Sequence, residues 1–210
     1  MNHCYLDHIT ITASTLEAGA KLVESSLGAS PQKGGQHPRM GTHNLFLRLG
    51  DSIFLEVIAC DPNAKNPERP RWFALDEVDK DTPPKLKTWV VRTDNIQSVL
   101  EDSSEALGEI EPMNRGENHW LITIPKNGNL PLSGGAPALI QWEIKDHPAK
   151  KLEDYGLSLS KLQIYHPEPE RLISLLSSIN LKESVEILFG DKTKLIAHID
   201  TPNGVRLISS

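Results

Sequence analysis

Apolar and polar residues alternate along Leu6-Asp7-His8-Ile9-Thr10-Ile11-Thr12, and the stretch reads as a strand. Asp7, Ile9, Ile11 and Ala13 fall on one side, and Leu6, His8, Thr10 and Thr12 on the other. The first face suits a covering helix. The second offers an imidazole and two hydroxyls, as the wall of a cavity would. Ser14-Thr15-Leu16-Glu17 has the form of a capping box. Leu16, Ala20, Val23 and Leu27 then recur at helical spacing up to Gly28. Residues 30–40 are rich in Gly and Pro and read as a poor strand and a mobile loop. Residues 42–49 and 52–59 are the clearest strands. A tight hairpin at Gly50-Asp51 would put His43, Leu45, Leu47 and Leu49 on one face with Phe54, Glu56 and Ile58, and a slip of one residue would reverse that.

The same order returns. Residues 86–93 form a strand, and Asp94 caps a helix that runs through Leu107 to Gly108. Strands follow at 109–112, 120–124 and 138–144. A compressed third copy has a strand at 157–165, a helix at 167–179, and strands at 184–189, 194–199 and 205–208. A strand-helix-strand-strand-strand repeat at roughly 75-residue intervals indicates internal duplication. The expected fold is α+β: tandem βαβββ units forming a curled mixed-sheet cup, helices outside, extended by the third unit. The divisions are 1–62, a loop or lid at 63–85, 86–148 and 149–210, within one compact domain.

A chain of 210 residues can bury a substantial core. Net charge is −6 with Lys and Arg thinly spread, which argues against nucleic acid or an anionic membrane as partner. No leader pattern and no bilayer-length apolar run is visible, so a cytoplasmic location is expected. Cys4 and Cys60 lack metal-ligand spacing; with His8 and Glu56 level on adjacent parallel strands they would lie roughly 25 Å apart and stay reduced.

Several residues carry candidate chemistry. Glu56 sits in the apolar strand Phe54-Leu55-Glu56-Val57-Ile58, where a carboxylate must be paired, protonated or wet. Desolvated, it would serve as a general base beside a carbonyl. His43-Asn44 either binds a substrate oxygen or satisfies loop amides. Arg71-Trp72 either clamps an anionic or planar ligand or anchors the loop on the core. His119 reads as a strand-edge residue, and the acidic stretch 76–81 as a solvated loop.

Leu6-Asp7-His8-Ile9, Gly41-Thr42-His43-Asn44 and Phe54-Leu55-Glu56-Val57-Ile58 resemble the vicinal oxygen chelate superfamily of glyoxalases, extradiol dioxygenases and bleomycin-resistance-type binders. Pro70-Arg71-Trp72-Phe73-Ala74-Leu75, Pro137-Ala138-Leu139-Ile140-Gln141-Trp142, His147-Pro148 and Thr201-Pro202-Asn203-Gly204 resemble its glyoxalase-like domain families more narrowly. The resemblance implies metal ligands on the first and last strands of each unit. By position these are His8, Glu56 and Glu143, for one divalent ion (Ni, Mn, Fe, Co or Zn). Thr88 stands where a further histidine is expected, with His43 as a substitute. His8 and Glu56 are otherwise a plain hydrogen-bonded pair. The expected function is to act on or bind a small oxygenated molecule as a metal-dependent lyase or isomerase. The alternatives are a metal-free sequestering protein and an extradiol-dioxygenase-like oxidoreductase. Glu56 and His43 are the expected catalytic residues; Asn44, Arg71, Trp72 and Trp142 are the expected substrate contacts. A homodimer is compatible with this reading.

Overall fold

Two chain segments of the same build meet along their first strands in the computed structural model, which describes residues 2–210. The first comprises β1 (Tyr5–Thr12), α1 (Leu16–Leu27), β2 (Gln32–His37), β3 (Thr42–Arg48) and β4 (Phe54–Cys60). The second comprises β5 (Lys85–Arg92), α2 (Ile96–Asp102), β6 (Glu109–Arg115), β7 (Asn118–Ile124) and β8 (Ala138–Trp142). β1 runs parallel to β4, and β5 parallel to β8. The antiparallel contact of β1 with β5 joins both units into one sheet, ordered β2-β3-β4-β1-β5-β8-β7-β6.

The alternation in each strand decides what lies on either side of this sheet. Ile9, Ile11, Leu55 and Val57 share an apolar core with Val23 and Leu27 of α1, and with Ile96 and Val99 of α2. Each such buried side chain contributes roughly 1.5–3 kcal/mol. Phe46, Phe54, Ile58, Trp120, Ile122 and Ile140 belong to separate clusters on the opposite, concave side. The cap of α1 is Thr15, whose hydroxyl accepts the Ala18 N–H, one residue later than the capping-box pattern suggests. α2 is capped by Asn95, not Asp94, and ends at Asp102. Leu107 lies outside the helix. Gly108 marks a close approach, since a Cβ there would meet the Ile124 carbonyl carbon at 2.4 Å.

The third segment has β9 (Ser158–His166), α3 (Pro169–Ser178), β10 (Glu186–Phe189), β11 (Lys194–Thr201) and β12 (Gly204–Ser209). Its strands pair in the order β10-β9-β11-β12 and form their own sheet. In the first two units the first strand pairs in parallel with the last; here β9 pairs in parallel with β10, directly across α3. Leu162, Ile164, Leu172, Leu175 and Ile199 join the same core as α1 and β1. This sheet therefore covers the convex side instead of lengthening the cup. Cys4 and Cys60 are free thiols, and burial pushes the Cys4 thiol up to about 11, which leaves it a poor nucleophile.

Candidate functional site

The concave face gathers side chains from both units. β1 supplies His8, β4 supplies Phe54 and Glu56, and β3 supplies Phe46. From the second unit come Arg115 of β6, Trp120 and Ile122 of β7, and Ile140 and Trp142 of β8. Trp72 and Phe73, in a 3-10 segment (Trp72–Glu77), fold over them. The cleft has a cavity volume of about 20 Å³. With the aromatic cover in place that is room for one water-sized guest, so a larger ligand enters only by displacing Trp72 and Phe73.

A bulge in β1 sets up the polar centre. Leu6 opposes Val91 and His8 opposes Val90, so Asp7 and His8 together face a single residue of β5. Simple alternation would turn Asp7 toward the helices. The bulge turns it to the same side as His8. Its carboxylate, fully buried, takes three donors: His8 Nδ1 at 2.5 Å, Trp142 Nε1 at 2.8 Å and His147 Nε2 at 2.9 Å. His147 Nδ1 accepts the Ala149 N–H at 3.2 Å, so its Nε2 carries the proton given to Asp7. Burial alone would raise the Asp7 carboxyl, but the hydrogen bonds from His147 and His8 and their charges outweigh it. They hold the group well below the usual carboxylate range. Asp7 thus fixes His8 with its Nδ1–H inward and its Nε2 toward the cleft.

His8 Nε2 lies 3.7 Å from Glu56 Oε2. The two are not level: Glu56 pairs with Thr10 and His8 with Phe54, one same-face step away. Glu56 is 6% exposed. Its Oε1 accepts Asn44 Nδ2 at 2.6 Å, and its Oε2 accepts the Thr10 hydroxyl at 3.4 Å. Asn44 is held in turn by the Gly35 N–H on its Oδ1 at 2.9 Å and lies 3.4 Å from His37 Nε2. Burial, with Arg115 and His43 nearby, pushes His37 down to about 3, so it is neutral near pH 7. The His8 ring stacks on Phe54 at 4.5 Å, with planes 13° apart.

Some of the predicted site residues do not belong here. His43 occupies the opposite face of β3 from Glu56. The turn spans Gly50, Asp51 and Ser52, with Leu49 N–H bonded to Ile53 O, and the ladder places Phe46, not Leu45, opposite Glu56. His43 therefore offers no imidazole to the cleft. Arg71 ties down its own loop: Nη1 lies 2.6 Å from Asp76 Oδ1, and its backbone N–H donates to Asp76 Oδ2 at 2.8 Å. Glu143 is exposed beyond the end of β8, where its backbone N–H bonds His119 O. Asn44 is within the site, holding Glu56. Trp72 and Trp142 line the cleft, and the Trp72 indole nitrogen is buried without a hydrogen-bond partner.

A family model described as Glyoxalase-like domain matches residues 6–179, well over half of the chain. The chain belongs to this family. Among solved structures, a hypothetical protein from Staphylococcus aureus is similar, with 17% identity, a TM-score of 0.66, and coverage of 90% of this chain and 87% of that one. This likeness shows the shared curled-sheet fold of a glyoxalase-like domain. A Streptomyces coelicolor methylmalonyl-CoA epimerase, in complex with 2-nitronate-propionyl-CoA, gives 17% identity and a TM-score of 0.45, over 68% of this chain and 97% of that one. A hypothetical protein from Bacillus halodurans gives 15% identity and a TM-score of 0.45, over 72% and 99%. A comparison with curated proteins finds no match.

The duplication in this glyoxalase-like domain allows a direct test of the expected metal. The β1–β5 ladder is bulged once at Asp7 and once at Lys87, so the pseudo-twofold axis that exchanges the two bulges also exchanges His8 with Thr88 and Thr10 with Val90. Thr10 is level with Glu56, and Val90 is level with Ala138. The four equivalent positions are therefore His8, Glu56, Thr88 and Ala138. An alanine offers no donor, and a neutral threonine hydroxyl is a weak one. Among the described residues no three His, Cys, Asp or Glu side chains converge as a metal set. The donors do not fit a resident divalent ion.

Asp7, His37 and Arg115 are among the site residues that the sequence does not single out. Asp7 was assigned to the wrong face because a bulge leaves no local signature. His37 lies in a Gly/Pro-rich stretch that resembled a loop. Arg115 sits beside Gly116 at a hairpin end, where a charged residue ordinarily means solvent. Its guanidinium instead lies over the Phe46 ring at 4.6 Å and the Trp120 ring at 5.8 Å.

Proposed function

We propose that the cup binds a small oxygenated molecule and that Glu56 and His8 move a proton at a carbon next to its carbonyl, without a metal. One arrangement carries this reading: the buried Glu56 carboxylate lies 3.7 Å from His8 Nε2, and the other ring nitrogen is fixed by buried Asp7 at 2.5 Å. Glu56 takes the proton from carbon. His8 exchanges a proton with the oxygen or the neighbouring carbon, with Asp7 facing the ring that carries the charge. Thr10 and Asn44 keep the Glu56 carboxylate in place. The net change is an isomerisation, or exchange of the carbon-bound hydrogen with water.

The test follows hydrogen exchange in D2O by NMR over a set of small hydroxyketones, 2-oxo acids and 2-hydroxy acids, with wild type, Glu56→Gln and His8→Gln. Exchange of at least one compound, slowed about 100-fold or more in Glu56→Gln, is the expected result. A folded wild type that exchanges none of them overturns the reading.

The aromatic walls favour a second reading, a sequestering protein. Phe46, Phe54, Trp72, Trp120 and Trp142 give the cleft stacking surfaces on several sides. A binder of this kind holds its ligand unchanged, and Glu56→Gln then alters affinity with no turnover to lose.

A further inference from the structure

The cleft wall contains a cation with no anion on it. Arg115 is half-buried between Phe46 and Trp120. Among the described residues no carboxylate lies within 4.0 Å of its guanidinium. Arg39 and Arg69, by contrast, both pair with Glu111 of the same strand. Glu56 acts on Arg115 only as a charge beyond contact distance, and withdrawing a guanidinium from water without a contacting counter-charge is costly.

The backbone makes room for this placement. A Cβ on Gly35 would meet Arg115 Cδ at 2.5 Å and Cγ at 2.7 Å. The glycine of β2 therefore lets the arginine stem cross over it and bring the guanidinium into the cleft. The guanidinium carbon lies over both rings, and its N–H edge has no carboxylate on it among the described residues. A planar carboxylate fits such an edge with two parallel hydrogen bonds. Trp72, whose buried indole N–H has no partner, lines this cleft and the one beside it.

We propose that Arg115 binds the carboxylate of the ligand, so that the cup takes small organic acids. This rests on the reading of the cup as a ligand site and names its ligand class. The carboxylate sits at the Arg115 end, and the remainder of the molecule extends toward His8 and Glu56. Glu56 cannot serve as the partner itself, because Asn44 and Thr10 hold it on its own strand. The acid group also sets direction: it is drawn to Arg115 and kept off the Glu56 carboxylate by like charge.

The experiment is titration, by calorimetry and tryptophan fluorescence, with acetate, lactate, pyruvate, benzoate and phenylpyruvate, and with the methyl ester of each. Inorganic phosphate serves as a competing anion. At least one acid should bind wild type saturably, with its ester about tenfold weaker or worse. Arg115→Gln should weaken that acid about tenfold or more and leave the ester unchanged. Gly35→Ala, which keeps the guanidinium but pushes its stem aside, should weaken the acid in the same direction. Near-UV circular dichroism reports folding, and Arg115→Lys replaces the Gln variant should that one fail to fold, with partial loss expected. The proposal is overturned when no acid binds folded wild type, when acid and ester bind alike, when the variants bind the acid as wild type does, or when phosphate competes as well as the acid. Acids that bind through Arg115 without hydrogen exchange leave this proposal standing and remove the proton-transfer reading. Exchange that is equal for acids and esters, and indifferent to Arg115, does the reverse.

Discussion

Asp7 and His8 are neighbours in a strand, yet their side chains meet, with Oδ1 of one 2.5 Å from Nδ1 of the other. A regular strand would send them to opposite faces. The bulge between Leu6 and His8 turns a sequence neighbour into the partner that orients the ring.

Asp7→Asn tests that relationship. Asparagine must present its amide N–H₂ to at least one of three donors that now share a carboxylate. We expect a loss of about 2–3 kcal/mol, as for a buried unpaired group, and a Tm lower by about 5–10 °C. Any hydrogen exchange should fall about 100-fold or more, since the amide permits the wrong ring tautomer. Because the folded-state Asp7 carboxyl is depressed, its contribution is present above about pH 4 and fades as acid protonates it. Below pH 4 the unfolding curves of wild type and variant should therefore draw together.

His37 gives a second pH signature. Its folded value is depressed to about 3 by burial, by Arg115 and by His43. Between about 6.5 and 3 the unfolded chain binds a proton that the native state refuses, so stability falls as pH drops through that window. The slope attributable to this group reaches about 1.4 kcal/mol per pH unit. Denaturant unfolding of wild type and His37→Gln from pH 7 to pH 5 should show the difference between them shrinking as pH falls.

With Thr88 and Ala138 at two of the four equivalent positions, added Ni, Mn, Co or Zn should leave the Tm within about 1 °C. Dialysis against chelator should be equally silent. A rise of several degrees with one equivalent, abolished in His8→Ala, would show a site formed by side chains that have to move.

Gly128 holds the aromatic cover. Its carbonyl accepts the Ala74 N–H at 2.9 Å, its φ is +71°, and a Cβ there would meet the Arg71 carbonyl oxygen at 2.1 Å. Phe73 and Ala74 both adopt left-handed backbone conformations, with φ of 56° and 53°. Such strain persists only where the surroundings enforce it. Gly128→Ala should release the cover, and acrylamide should then quench Trp72 fluorescence more strongly than in wild type.

Much of the architecture was legible because it rests on periodicity. The spacing of Leu16, Val23 and Leu27 gave α1, and the repeat of one strand-helix-strand order gave the paired units. Alternation put His8 on the polar face of its strand, and the family resemblance, not alternation, set it beside Glu56. His43 was lost to a single residue of hairpin length, because Gly50-Asp51 resembles a two-residue turn while the chain uses Ser52 as well. The second-unit ligand was misplaced for a related reason. Glu143 is the carboxylate near the end of that strand, but register assigns the equivalent of Glu56 to Ala138. Arg115 and Asp7 depend on a glycine across a strand and on a bulge, and neither leaves a pattern in the residues beside them.

The unequal halves of the duplicated cup carry a stereochemical consequence. His8 and Glu56 both belong to the first unit, while the twofold-related places hold Thr88 and Ala138. A substrate carbon between the units can lose and regain hydrogen on one face only. The proton transfer proposed for this pair is therefore suprafacial. Deuterium taken up from solvent should replace hydrogen with retention, and a single enantiomer should exchange without racemising. Inversion would call for a second base across the cleft, where the chain has placed a methyl group.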